Sequence, residues 1–474
     1  MKEDDKMKFN FDNTYNQLPP IMYSKINLNK TKSPKIVLIN HQLAQDLDID
    51  SVISNNDLDI LCGCKESDGS INIAQAYCGH QFGFFNTLGD GRAVLLGEHI
   101  TNEGLRYDVH LKGSGKTPYS RSGDGLATLS SMLREYIISE AMNGLGVPTT
   151  RSLAVVTTGE KVVRPISEEG AVLTRIAKSH IRVGTFEFAL VYGGNEVLKR
   201  LADYTMKRHF PNLDNGDYLG FLRAIIDLQA KLIAKWQSIG FVHGVMNTDN
   251  MCISGETIDY GPCAFLNIYE PDTSFSSIDT RGRYSYKNQP NIALWNLTRF
   301  SETLLSLFDD DTEKAKSIAL KELNKFNQLL NDYCLGYFSR KIGLEKDNFE
   351  LVEELLGIMK EKKLDFTNTF RLLSDADAKI RELHSWCLKW NNIRILQSIS
   401  LEESNNMMQE NNPYVIPRNY RVDEIIKTAV NTNDFTEVLK IVEILRNPFD
   451  YLGIEDKYLL DFKDNNDFVT YCGT

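Results

Sequence analysis

The chain has 474 residues, 42% apolar and 25% charged, which is ordinary for a globular protein with two or three domain-sized cores. A net charge of −11 argues against a nucleic-acid partner, although a local basic cleft for phosphates is compatible with it. No run approaches the roughly 18 apolar residues of a membrane span, so no membrane partner is expected.

The opening MKEDDKMKFNFDN is acidic and polar, without the apolar core of a secretory signal or the Arg-rich character of a transit peptide. With eight scattered cysteines, a reducing, cytoplasmic setting is expected. Residues 1–60 are read as an N-terminal extension. Cys62 and Cys64 follow as a lone C-x-C with no second pair at zinc spacing, so ordinary thiols are expected there.

Residues 61–190 carry short β-type runs, RAVLLGE, YDVHLKG and AVLTRIA among them, interrupted by one helical segment. Residues 191–474 turn to helical periodicity, as in YLGFLRAIIDLQAKLIAKWQSIG and NIALWNLTRFSETLLSLF. The expectation is an α+β fold of two lobes, β-rich then α-helical, with a cleft between them.

Within the first lobe, Gly89-Asp90-Gly91 lies between apolar runs as a hairpin signature whose glycines let the backbone approach a phosphate, with Arg92 beside it. The same signal also fits a plain tight turn. Next, Tyr107, Val109 and Leu111 alternate with Asp108, His110 and Lys112, as in a half-buried strand with Lys112 on its polar face. Val109-His110-Leu111-Lys112 matches the kinase tetrapeptide whose strand Lys meets nucleotide phosphates and is held by a helix Glu.

The following Gly113-Ser114-Gly115-Lys116-Thr117 imitates a phosphate-binding P-loop. That pattern requires Gly where His110 stands and a helix where Pro118 stands, so the P-loop is rejected. In LATLSSMLREYIISEAMNGLGVP, Leu126, Leu129, Leu133, Tyr136 and Ile137 repeat at helical spacing, and glycines and Pro148 end the helix. Glu135, at the edge of that stripe, is the favoured partner of Lys112, and Glu140 is its competitor.

In HGVMNTDNMCISGETIDYGP, beginning at His243, Asn250 and Asp259 stand at the metal-ligand positions of a kinase catalytic loop and its D-F-G motif. The position of the kinase base holds Val245. Asn250 and Asp259 suit Mg²⁺, which takes few protein oxygens together with phosphates and waters. Further on, SNNMMQENN from Ser404 reads as a surface loop, and Cys472 as an exposed, redox-active thiol. Gly-turn, strand Lys, helix Glu, His-x6-Asn and Asp-Tyr-Gly in that order predict a protein-kinase-like bilobal fold.

Five longer stretches carry a closer resemblance: YCGHQFGFFNTLGDGRAVLLGE, HLKGSGKTPYSRSGDGLATLSSMLREYIISEAM, HGVMNTDNMCISGETIDYGP, GRYSYKNQPNIALWNLTRF and NPYVIPRNY. Spread from Tyr77 to Tyr420, they resemble the selenoprotein O (YdiU-type) protein adenylyltransferases. That resemblance implies transfer of AMP from ATP to a Ser, Thr or Tyr hydroxyl of a protein, with the nucleotide flipped relative to a kinase and UMP transfer with Mn²⁺ a variant. It also implies an ion pair of Lys112 with Glu135, and nucleotide contacts at Gly89, Gly91, Arg92, Lys112, Asp124, Gly125, Arg175, Arg182 and Asp259.

Asp249 is implied as proton acceptor, with Asn250 and Asp259 as the ligands of Mg²⁺ or Mn²⁺. If the nucleotide is flipped, the α-phosphorus is the one attacked, which gives Val245 a chemical reason. Family members also place a redox-active residue near the C-terminus, matched by Cys472; Cys263 is the one cysteine between the DYG and GRY motifs that could pair with it. Two rivals stand beside this reading: a conventional protein or small-molecule kinase, and a nucleotide-binding pseudokinase scaffold.

Overall fold

A computed structural model describes residues 7–28, 31–50, 53–164, 166–375, 380–450, 454, 455, 458 and 468–470. Eleven strands are formed among them: β1 (Tyr23–Lys25), β2 (Lys35–Ile39), β3 (Ile73–Gln75), β4 (Cys78–Gln81), β5 (Phe84–Thr87), β6 (Ala93–Ile100), β7 (Arg106–Lys112), β8 (Arg151–Val163), β9 (Ser167–Ala177), β10 (Phe241–Val242) and β11 (Ala264–Phe265). Seven make one antiparallel sheet in the order β1-β3-β6-β7-β9-β8-β2. Both edge strands come from the first sixty residues, so the stretch read as an extension is built into the lobe.

The sheet is covered on both faces. Val109 and Leu111 of β7 pack with Leu43, Leu47, Ile60 and Leu61, from the segments of the two N-terminal helices. On the other face lies the helix Leu129–Gly144, capped by the Thr128 hydroxyl and burying Met132, Leu133 and Tyr136. The expected polar face of β7 is therefore not solvated: Asp108, His110 and Lys112 are all buried and satisfied by charged partners.

Beyond residue 190 the chain is mainly helical. Its longest helix, Tyr218–Ile239, starts where the Asp217 carboxylate accepts from the Gly220 N–H and stops at Gly240, in the left-handed region at φ +71°. Just after it β10 pairs with β11, clamping the ends of the segment 243–263. The result is an α+β arrangement, a sheet lobe and a helical lobe. Among the described residues no helix is long and apolar enough to cross a membrane.

Two local expectations are corrected. SNNMMQENN belongs to the helix Leu401–Asn411, initiated by a reciprocal capping box of Ser400 and Glu403, with Met408 buried and the Ser404 hydroxyl donating to the Gly343 carbonyl. Composition misled because tertiary contacts, rather than an apolar stripe, hold this helix. Gly89-Asp90-Gly91 does not close a hairpin either: β5 pairs with β4, and the Asp90 N–H donates to Gln75 of β3. The turn carries the chain from one sheet to the other.

Candidate active site

Strand register assembles one wall of the cleft. Arg175 on β9 lies opposite His110 on β7, so His110, Lys112 and Arg175 share a face of the sheet. Glu135 reaches this face from the helix Leu129–Gly144. The Lys112 ammonium contacts Glu135 Oε2 and Asp259 Oδ1, each at 2.5 Å. Arg175 Nη1 bonds the other Glu135 oxygen at 3.2 Å and Asp259 Oδ1 at 2.8 Å. Glu140, the alternative partner, points away and pairs with Arg151 at 2.8 Å and with Asn40 at 2.7 Å.

Asp259 occupies the left-handed region at φ +63°, a conformation that a non-glycine residue holds only when its surroundings enforce it. Burial pushes its carboxyl up, but Lys112, Arg175 and Arg182 together hold it well below the ordinary carboxylate value. Its Oδ1 is shared by two cations, and Oδ2 is left for the cleft. Asn250 is oriented comparably: its amide nitrogen donates to the Val245 carbonyl at 2.9 Å, which leaves the amide oxygen as a ligand for a metal. Val245 thus contributes its backbone to placing Asn250.

Both residues line the same cleft, so two hard oxygens on neighbouring segments fit Mg²⁺. No group of three or more His, Cys, Asp or Glu side chains that could hold a metal ion exists among the described residues. An ion here would complete its shell with phosphate and water.

The opposite wall is built differently. Segment 181–183 pairs with 251–253 through Val183 N–H to Met251 O and Ile253 N–H to Ile181 O, both 2.9 Å, which fixes Arg182 against the catalytic loop. Arg182 donates to the Asp249 carbonyl at 3.1 Å and lies over the Tyr77 ring at 4.3 Å. Among the described residues no cation pairs with the Asp249 carboxylate, and its Oδ1 is buried without a hydrogen-bond partner. Burial pushes this carboxyl up to about 7, with Arg182 offsetting only part of the effect.

Two features sequence reasoning did not reach lie around Asp249 and its neighbour Thr248. Gly79 of β4 faces it so closely that a Cβ would lie 2.1 Å from Asp249 Oδ1. Glu187, also pushed up to about 7 by burial, accepts the Thr248 hydroxyl at 2.7 Å and meets His80 Nδ1 at 2.6 Å. Neither carries a sequence signal, because each acts through a neighbour distant in the chain.

Gly89, Gly91, Arg92, Asp124, Gly125, Arg175 and Arg182 all line one cavity of about 350 Å³ with Lys112, Glu135, Asp249, Asn250 and Asp259. Asp124 does not face bare anion: Arg164 grips it at 2.9 and 2.8 Å, and that hydrogen-bonded pair lowers its carboxyl to about 2. Arg164, which also lines the cavity, lay unmarked in KVVRPISEE. The GSGKT segment buttresses the Gly turn, Thr117 donating to the Asp90 carbonyl at 2.7 Å. Cys263 is buried with its thiol donating to the Tyr260 carbonyl; Cys472 lies outside the described residues.

Five cations, Arg92, Lys112, Arg164, Arg175 and Arg182, and five carboxylates, Asp90, Asp124, Glu135, Asp249 and Asp259, line the cavity. A sheet lysine paired with a helix glutamate, facing an Asn and an Asp from the helical lobe, defines the kinase-like class of nucleotide-handling proteins.

Comparison with known proteins narrows that class. The model of the protein adenylyltransferase SelO family matches residues 5–446, and the chain belongs to that family and is a nucleotidyltransferase. It is 52% identical to the protein nucleotidyltransferase YdiU of Clostridium perfringens (strain ATCC 13124), over 99% of this chain and 98% of that one. Against the protein of the same description from Anoxybacillus flavithermus, identity is 48% over 98% of this chain and 99% of the relative. The likeness to a solved structure, ROP2 of Toxoplasma gondii, a virulence factor described as having a protein-kinase fold and no enzymatic activity, is slight: 12% identity and a TM-score of 0.25 over 72% and 90% of the two chains. It is too weak to carry an assignment.

Proposed function

We propose that this chain transfers AMP from ATP to a Ser, Thr or Tyr hydroxyl of a protein, releasing pyrophosphate. The observation that carries this reading is the pairing of Val245, at the position of a kinase base, with Asp249, a buried carboxyl whose Oδ1 has no partner. A base pushed up to about 7 is half ionised near neutrality, where proton transfer is most effective.

Ionised Asp249 takes the proton of the acceptor hydroxyl. The hydroxyl oxygen attacks the α-phosphorus, and the bond to the bridging oxygen of pyrophosphate breaks. Arg175 and Arg182 orient the polyphosphate by planar, charge-assisted hydrogen bonds, which suit phosphate oxygens better than a point charge does. Lys112, kept in place by Glu135, balances further phosphate charge, and the Gly89–Arg92 turn brings backbone close to it. Mg²⁺, or Mn²⁺ when UMP is transferred from UTP, would be held by Asn250 and Asp259 and would supply neutralisation of charge developing on the phosphate oxygens.

ATP labelled separately at the α- and γ-positions tests this. Label from the α-position alone should appear on acceptor protein. Label from the γ-position would mean a kinase, and label from neither, with ATP still bound, would mean a scaffold.

A further inference from the structure

Outside the cleft, the turn Cys62-Gly63-Cys64 has no part in this chemistry. It closes the helix Asn55–Leu61 behind the sheet, where Gly63 N–H donates to Ile60 O at 2.9 Å and Cys64 N–H to Asp59 O at 2.8 Å. Gly63 sits at φ +75°, and a Cβ there would lie 3.0 Å from Ser114 Cβ and 3.2 Å from Leu111 Cδ1. The left-handed turn, pressed on the end of β7, brings the two cysteines together. Their thiols share the Thr31 hydroxyl, 3.3 Å from Cys62 Sγ and 2.8 Å from Cys64 Sγ.

Two thiols gathered on one hydroxyl make either half of a metal clip or a dithiol. A tetrahedral thiolate site needs four ligands, and no third His, Cys, Asp or Glu completes a metal-binding group among the described residues. The dithiol reading stands, and its two members are unequal. The neighbouring Cys62 thiol, helped by Thr31 and opposed by burial, pulls the Cys64 thiol down to about 6. The neighbouring Cys64 and burial push Cys62 far up.

Burial raises the other described thiols, Cys78, Cys252, Cys263, Cys334 and Cys387. Cys64 is half-buried, so the lowered thiol is also the one a small reagent can reach.

We propose that Cys62-Gly63-Cys64 is a thiol–disulfide exchange site for disulfides of low-molecular-weight thiols, with Cys64 attacking and Cys62 resolving. The Cys64 thiolate attacks one sulfur of the small disulfide, whose S–S bond breaks, and one thiolate departs with the bonding pair. That thiolate takes the Cys62 proton. Cys62 then attacks the Cys64 sulfur of the mixed disulfide and expels the second small thiolate, which takes up a proton from solvent. Two protein thiols are oxidised and one disulfide is reduced to two thiols, so no further oxidant is needed.

The full chain, incubated with oxidised glutathione near neutral pH, alkylated and examined by peptide mass spectrometry, tests this. The wild-type 62–64 peptide should lose two hydrogens, resist alkylation and regain both thiols on reduction. Cys62→Ser should accumulate a stable glutathione adduct on Cys64, whereas Cys64→Ser should leave Cys62 unmodified. Thr31→Val should slow the reaction a few-fold and move its pH dependence upward. A persistent adduct on wild-type Cys64, modification of Cys62 in Cys64→Ser at the rate of Cys64 in Cys62→Ser, or no reaction at all would each overturn the proposal. Unchanged melting temperature and ATP affinity certify that each variant is folded.

Discussion

The two walls of the cleft treat a buried carboxylate in opposite ways. On the sheet side, Asp259 is gripped by Lys112 and Arg175 and stays charged. On the side of the segment 243–263, Asp249 is buried too but no cation among the described residues pairs with its carboxylate, Arg182 offsets the burial only in part, and it holds its proton until about pH 7. Burial penalises charge in both places, and what separates them is whether paired cations offset that penalty. A permanently charged oxygen suits metal binding, whereas a carboxyl balanced near neutrality suits proton transfer.

Removing the charged member should have the largest effect. Asp259→Ala is expected to lower AMP transfer at least about a thousandfold, since a metal contributes several kcal/mol of charge stabilisation. Measured transfer from α-labelled ATP near the wild-type rate would end the metal assignment. The balanced member follows: Asp249→Asn should cost about a hundredfold or more in kcat, the usual contribution of a positioned base.

Asp249 also makes a prediction with a definite sign. Its carboxyl titrates ordinarily at 3.8 and here at about 7, so the folded state binds the proton more tightly than the unfolded chain does. The stability that this proton contributes is whole below 3.8, declines as pH rises between those values and is gone above about 7. Asp249→Asn, neutral throughout, should therefore melt above wild type at about pH 8 and by a smaller margin at about pH 5. Wild-type transfer should rise through pH 7 on the same titration, which a pH–rate profile of kcat would record.

Smaller effects resolve the sheet wall. Lys112→Ala should weaken ATP binding by about 1.5–3 kcal/mol, ten- to a hundredfold, by loss of a charge-assisted contact. Glu140→Gln should leave ATP affinity unchanged while lowering stability by about 1–3 kcal/mol, because its buried network with Arg151 and Asn40 loses a charge. An affinity loss there matching that of Glu135→Gln would undo the distinction between the two glutamates. Arg164→Ala should weaken ATP binding only a few-fold, as calorimetry would register, since Arg164 and its partner Asp124 are both partly open to solvent.

Residues that form ordered motifs are legible in the sequence. The strands around RAVLLGE, YDVHLKG and AVLTRIA, the long helix after Asp217, and the placement of Lys112, Asn250 and Asp259 all follow from local pattern and spacing. The choice between Glu135 and Glu140 does not, because residues five apart on a helix differ in direction by an angle that only the packed sheet makes decisive. Arg164, Gly79 and Glu187 escape the sequence for a related reason, as each acts on a partner far along the chain.

The sequence by itself determined the two-lobed class, the family and the identity of the charged side chains, because periodicity and motif spacing are properties of the chain. Tertiary structure alone decided their electrostatic state. Whether a buried carboxylate keeps its charge depends on cations that strand register and loop pairing bring within about 3 Å. Arg175 reaches Asp259 because β7 and β9 align it opposite His110; among the described residues no such cation reaches the carboxylate of Asp249.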